Sequence, residues 1–385
     1  MNNDILYPDY NHCILNTISS ILHYYGVSTK YNGNTKLDEI LTQHQYDNVV
    51  LIILDGMGNN ILNSISPKGF LNKYKLDEIT TVYPSTTTAA MTTYYSGKPP
   101  IETGWIAMSQ YFKEYGRAIE MLRGIDSYTG ESYRHMDKDL YNLIAYTPIY
   151  EQIETTTDNE VKAYEILPSF CKPHSQKSYN ANTISAMCDC IQSLCTNNDR
   201  NFILAYNDNP DTLLHKYGCT SQVVSEFIKD AENNIRVLID KLQSTNSLII
   251  VSADHGHKDI SIVYDVINIP ELQECFLLPP SLESRSVTFW IKDSKRVQFE
   301  TYFKQHFKNE FLLLTKEDFL SQHYLGYGTT HPKIDDFLGN YVAISVDSSI
   351  LKLGTKLSVD KPKKKSTHCG LTRDEMEVPL IVIQS

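Results

Sequence analysis

The chain lacks a basic surface: acidic residues outnumber lysine and arginine by 46 to 35, and the net charge is −11. Nothing is therefore supplied to neutralise a phosphate backbone, which excludes a nucleic-acid scaffold protein. It also lacks any apolar run approaching the roughly 20 residues that span a bilayer. The first residues, Met1-Asn2-Asn3-Asp4-Ile5-Leu6, carry no positive segment and no apolar core, so no secretory signal is expected. Its 8 cysteines follow no regular framework and read as reduced thiols of a cytoplasmic protein. Cys188 and Cys190 point apart on a helix, which argues against a metal clip there. Internal repeats and low-complexity segments are absent, and the lysines from Lys361 to Lys365 read as a solvated loop. With 385 residues, 41% of them hydrophobic, the chain is long enough for one large α/β domain carrying a sizeable insertion.

What is present is organised around Leu51-Ile52-Ile53-Leu54-Asp55-Gly56-Met57-Gly58. An uncharged, β-branched run of strand length reads as a strand buried on both faces of a parallel sheet. Asp55 falls at its carboxyl end, where open α/β sheets place their ligands. The same pattern returns at 202–206 and at Ser247 to Ala253, with further core strands expected at Tyr341 to Val346 and Leu380 to Ile383. Between the second and third of these runs, Val224, Phe227, Ile228, Ala231, Ile235, Leu238, Ile239 and Leu242 form an amphipathic stripe, predicting a helix over 220–243. Strand, helix, strand in this order implies right-handed crossovers in a parallel sheet. After Tyr83-Pro84, Ser85 reads as the N-cap of a helix that ends at Gly97 and is closed by Pro99-Pro100. Residues 105–200 and 260–338 give weaker patterns and are expected to form a cap-like insertion and a second irregular one.

Polar clusters lie at or near the ends of these strands: Asp55; Asp211 with His215; Asp254 with His255; and His368 in the loop before the last strand. Asp211 and His215 are four apart and share a helix face, and Gly256 lets the chain turn so that Asp254 and His255 converge. Singly, each reads as an ordinary cap or surface residue. Together, three carboxylates and three imidazoles on one sheet edge suffice for two three-ligand metal sites with open positions. Two such ions clamp the attacking and leaving oxygens of a phosphoryl transfer.

Five stretches in this order, LDGMG (54–58), YPSTTTAAMTTYYSG (83–97), PDTLLHKYG (210–218), SADHGH (252–257) and HCGLTRDEMEVPLIVI (368–383), resemble the alkaline phosphatase superfamily. The closest likeness is to its nucleotide pyrophosphatase/phosphodiesterase-like branch. The resemblance implies a three-layer α/β/α sandwich with a mainly parallel central sheet and a smaller inserted cap. It implies two Zn²⁺, with Mn²⁺ or Fe as alternatives, one held by Asp211, His215 and His368 and the other by Asp55, Asp254 and His255. The nucleophile position falls on Thr87, with Thr86 as the alternative, and the implied substrate is a small phosphate ester or nucleotide.

Departures from the branch are equally specific. Its diesterases place an oxygen-binding asparagine where this chain has Met108, and Trp105, Gln110 and Tyr111 are the candidates to replace it. No arginine follows the nucleophile as in the phosphomonoesterases, and no Cys-x-Pro-x-Arg sulfatase signature occurs. Trp105, Tyr111 and Arg285 are the expected substrate contacts, and Tyr83, Tyr111 and Tyr206 the candidates to stack a base. His257 reads equally well as a neighbour of the cluster or as a solvent-facing residue. A phosphomonoesterase or phosphonate hydrolase on the same core, and a non-catalytic metal-binding relative, are the rival expectations.

Overall fold

Seven consecutive buried residues, Asn48–Leu54, form β1. The computed structural model that shows this describes residues 4–133, 141–197, 199–355 and 364–385. The other strands of its sheet are β2 (Lys75–Thr80), β3 (Val161–Leu167), β4 (Ser178–Asn180), β5 (Arg200–Asn207), β6 (Ser247–Ser252) and β7 (Glu377–Gln384). Their spatial order is β2-β7-β6-β1-β5-β3-β4. From β6 to β4 neighbours run parallel, while β7 is antiparallel to both β6 and β2. Register decides what meets at the carboxyl edge: Leu54 lies against Asn207 and Ile53 against Ser252, so β1, β5 and β6 end level.

Helices cover this sheet in two groups, giving the three-layer α/β/α sandwich. The first pairs α1 (Ile14–Tyr24) with α2 (Thr87–Ser96), and the second pairs α3 (Ile184–Cys195) with α5 (Gln222–Leu242). Between α3 and α5 lies the short α4 (Asp211–Tyr217). In α5, Ser221 caps the start by accepting from the Val224 amide, and Val224, Ile228, Ile235, Leu238 and Leu242 are fully enclosed. Burying five such side chains contributes on the order of 10 kcal/mol before chain entropy is counted. α2 begins at Thr87 with Thr86 as its N-cap. The Ser85 hydroxyl, expected to cap that helix, donates instead to the Gly370 carbonyl at 2.9 Å.

A second sheet of seven strands stands apart from the first, all of its neighbours antiparallel. In spatial order its strands are Phe311–Thr315, Tyr341–Ser345, Ser286–Ile291, Phe276–Leu282, Ser109–Phe112, Arg117–Glu120 and Ile125–Asp126. Its strands face two cores: Val342 and Ile344 pack with Phe112 and Ile119, whereas Tyr341 and Ala343 pack with Phe289, Phe299 and Phe303. This arrangement divides the stretch 105–200. Residues 109–126 belong to the second sheet, but β3 and β4 belong to the first, because Val161, Ala163 and Ile166 are buried in its core. The strand expected at Tyr341 to Val346 likewise lies in the second sheet. Among the described residues, no helix is long and apolar enough to cross a membrane.

Candidate active site

The level ends of β1, β5 and β6 bring together the polar residues that follow each strand. Asp55 continues β1, its amide donating to the Asn207 carbonyl (3.0 Å), and its carbonyl accepts from the Asp211 amide (2.8 Å) at the start of α4. Asp254 follows β6, and its Oδ1 accepts from the amides of Gly56 and His255, each at 3.0 Å. Gly56 has φ +75°, a conformation only glycine adopts cheaply. Gly256 is needed for space: a Cβ there would lie 2.0 Å from the Asp374 carbonyl oxygen. Ser366, on a two-residue strand paired with Lys258–Asp259, carries His368 in behind them.

The result is a buried knot of carboxylates and imidazoles. Asp55, Asp254 and His255 form one group, and Asp211, His255, His257 and His368 another, the donor atoms within each lying no more than 4.8 Å apart. In the first, His255 Nε2 is 3.5 Å from Asp55 Oδ1 and 3.3 Å from Asp254 Oδ2, and neither oxygen has a hydrogen-bond partner. The other Asp55 oxygen accepts from the Tyr206 hydroxyl. In the second, Asp211 Oδ1 lies 2.6 Å from His257 Nε2 and 3.7 Å from His368 Nε2; His215, expected in this group, lies outside it, with its Nε2 3.4 Å from the same oxygen.

The histidine tautomers are set from outside the knot. The Nδ1 of His255, His215 and His368 lies 2.8–3.0 Å from the backbone carbonyls of Gly256, Ser366 and Ser85 respectively. A carbonyl only accepts, so each Nδ1 carries the hydrogen and each Nε2 presents a lone pair, that of His215 being met by Lys364 Nζ at 3.0 Å. That is how metal-binding histidines are oriented. Burial, ahead of the pull from Asp211, pushes His215 down to about 3, and burial followed by the neighbouring imidazoles holds His368 well below the usual range. Burial alone would raise Asp211, but His215, His257 and His368 outweigh it and keep the carboxylate ionised. Asp55 goes the other way, raised by burial first and then by Asp254 and Asp211. Buried unpartnered oxygens facing bare imidazole nitrogens are costly unless a cation joins them, so the donor set fits divalent ions.

The threonines separate cleanly. Thr87, the first residue of α2, places Oγ1 3.2 Å from His255 Nε2. The Thr86 hydroxyl turns to Glu283 Oε1 at 3.2 Å, and the same carboxylate accepts from the Met108 amide at 2.7 Å.

A model of the type I phosphodiesterase / nucleotide pyrophosphatase family matches residues 49–284 of this sequence. The chain belongs to that family. Within its fold, murine ectonucleotide pyrophosphatase / phosphodiesterase 5, solved as an inactive variant in complex with AMP, shares 17% identity over 88% of this chain and 87% of that one, with TM-score 0.62. Phosphonoacetate hydrolase from Sinorhizobium meliloti 1021, in complex with phosphonoformate, shares 15% over 86% and 89%, with TM-score 0.61. At these identities the likeness establishes the fold alone. No curated protein matches the sequence.

Not every residue expected at this phosphodiesterase-family site is found there. Arg285 is fully buried and commits four of its five N–H donors to Glu375 (2.6 and 2.7 Å) and to the carbonyls of Ser349 and Asp347, as an enclosed structural ion pair. Trp105 donates to the Ile144 carbonyl and stacks on Tyr141 at 5.7 Å, as packing of the second sheet's core. Tyr111 leans on Trp290. Gln110 serves the backbone, bonding to Ile106, Ala107 and Gly104. Tyr83 is enclosed, its hydroxyl on Ser286, and Tyr206 orients Asp55 instead of stacking a base.

Sequence reasoning missed Ser366, Glu283 and Lys364, and left His257 undecided. His257 is fully buried in the knot. Lys361 to Lys363 lie outside the described residues, but Lys364 extends from the surface to bring Nζ within 3.0 Å of His215 Nε2.

Proposed function

We propose that this chain is a metal-dependent hydrolase of phosphate diester or pyrophosphate bonds, acting on nucleotide-type substrates through a covalent phosphothreonine at Thr87. Asp55, Asp254 and His255 would hold one ion, and Asp211, His215 and His368 the other. Zn²⁺ is the first choice, with Mn²⁺ or Fe acceptable to such mixed donors. When bound, such a pair acidifies the nucleophile's hydroxyl and neutralises charge on the transferring phosphoryl group.

The observation that carries the reading is Thr87 Oγ1 facing His255 Nε2 from the first turn of α2, while Thr86 is engaged elsewhere. Thr87 Oγ1 attacks phosphorus in line, so the leaving oxygen departs on the opposite face, toward Asp211, His215 and His368. The Thr86 side chain makes no capping bond, so the first-turn amides of α2 remain available to hold a non-bridging oxygen. Water then hydrolyses the phosphothreonine from the face the leaving group vacated. The second sheet acts as the cap, its hairpin turn at Glu283 reaching Thr86 and Met108. The AMP held by the murine relative of this fold supports a nucleotide substrate. A cytoplasmic setting fits cysteines that are all free.

A second reading, hydrolysis of a phosphonate or phosphomonoester, draws support from Met108. Its amide faces the Glu283 carboxylate at the position where diesterases carry the oxygen-binding asparagine. The test is turnover of bis-p-nitrophenyl phosphate, p-nitrophenyl phosphate and a thymidine 5′-p-nitrophenyl ester by metal-loaded protein, beside Thr87→Ala. Diester turnover lost in Thr87→Ala with bound ions retained is the expected result, and monoester turnover alone would select the second reading. Full activity in Thr87→Ala would remove that residue as nucleophile.

A further inference from the structure

His257 has no assigned task, yet it is fully buried and each ring nitrogen faces a polar side-chain atom. Its Nδ1 lies 3.1 Å from Ser366 Oγ. That hydroxyl has one hydrogen, already given to the Leu214 carbonyl at 2.7 Å. Ser366 Oγ can therefore only accept from His257, and Nδ1 carries the hydrogen. The bare Nε2 then faces Asp211 Oδ1 at 2.6 Å, lone pair against lone pair. Two acceptors rest that close only if a proton or a cation lies between or beside them.

Both resolutions are chemically available, and the surroundings choose between them. Nε2 belongs to the same set of donor atoms as Asp211, His255 and His368, no two more than 4.8 Å apart. A dication held there would strongly repel an imidazolium only a few ångströms away, whereas a bare Nε2 would add a donor. Ser366 also reinforces one outcome twice: its carbonyl fixes the tautomer of His215 and its hydroxyl that of His257.

We propose that His257 is a fourth protein ligand, through Nε2, to the ion shared by Asp211, His215 and His368. This rests on the metal reading above and deepens it. Four protein donors fill a tetrahedral shell. The position thus suits an ion that takes five or six donors, keeping room for a substrate oxygen, while Asp55, Asp254 and His255 form the sparser three-donor site. The two ions then differ in coordination and in affinity.

The test is the proton NMR spectrum of the fully Co²⁺-loaded protein in H₂O against D₂O, where each histidine bound through Nε2 gives one exchangeable, strongly shifted Nδ1–H signal. Four such signals are expected, from His215, His255, His257 and His368, falling to three in His257→Gln. Chelator competition should show one of two Co²⁺ weakened about tenfold or more in that variant and the other unchanged. Two bound ions with only three shifted signals in the wild type would overturn the inference while leaving the metal reading intact. Failure to bind Co²⁺ would overturn both. The wild-type count does not depend on how the variant folds.

Discussion

Replacing Asp254 by Asn should make the metal-free protein more stable while weakening its response to metal. The donor atoms of Asp55, Asp254 and His255 lie within 4.8 Å of one another. Two carboxylate charges 4.8 Å apart, with an effective dielectric of about 20, repel by about 3.5 kcal/mol. The substitution removes one of them at little other cost. Asn Oδ1 keeps the amides of Gly56 and His255, and its new N–H₂ group replaces an unpartnered oxygen 3.3 Å from the bare His255 Nε2. For 385 residues, unfolding entropy of about 0.8 kcal/mol per kelvin converts this into a Tm gain of roughly 4 °C.

The pH dependence follows from Asp55, whose folded carboxyl is raised by burial and by its acidic neighbours. A group raised in the folded state contributes stability that is complete below its unfolded pKa and lost as pH climbs through the raised value. Chelated wild-type protein should therefore weaken from the ordinary carboxylate range upward, and Asp254→Asn should flatten that slope. The assay is thermal unfolding across pH, with EDTA and with Zn²⁺ or Mn²⁺. A lower Tm for chelated Asp254→Asn, or a metal-induced rise equal to that of the wild type, would refute the reasoning.

Two further outcomes are expected. Lys364 is anchored through its neighbour, the Lys365 amide donating to the His215 carbonyl at 2.8 Å, and it stands on the face from which the leaving oxygen departs. Lys364→Met should lower kcat/KM for pyrophosphate substrates about tenfold to a hundredfold, the worth of one charged hydrogen bond, and leave p-nitrophenyl esters nearly unchanged. An equal loss on both substrate types would show that Lys364 does not touch the leaving group. Arg285→Leu should cost about 3–5 kcal/mol in urea unfolding, because Glu375 loses its buried partner. KM of the remaining folded enzyme should not move, and a raised KM would return Arg285 to the substrate.

The first sheet was legible because a strand buried on both faces is an apolar run with an abrupt polar end, and β1, β5 and β6 are all of that kind. The acid and imidazole residues just past those ends could be read as one constellation before any register was known. The second sheet was not legible in the same way. Its strand Ser109–Phe112 is half polar, and its link to Phe276–Leu282 rests on Leu282 facing Ser109, a pairing that no local pattern announces. β3 was assigned to the wrong layer since a short alternating strand looks the same whether it extends a parallel sheet or a cap. His257 stayed undecided because Gly256 permits several turns, and no local pattern says which of them turns the ring inward. Ser366, Tyr206 and Lys364 are single polar residues whose roles exist only through partners more than 100 positions away.

The position of β7 has a bearing on how such a site comes into being. This strand, far along the chain, is inserted between β2 and β6, and the segment leading to it carries Ser366 and His368. Asp55, Asp254 and His255 can gather once β1 and β6 pair. The Asp211 group must wait for the final segment, since Ser366 orients two of its rings and His368 supplies another. The second pocket is therefore complete only when the final segment is in place, and the same segment braces the turn after His255, where the Gly256 amide donates to the Glu375 carbonyl at 2.8 Å. A protein interrupted before Ser366 would lack His368 and the two bonds by which Ser366 orients His215 and His257, leaving the second pocket incomplete.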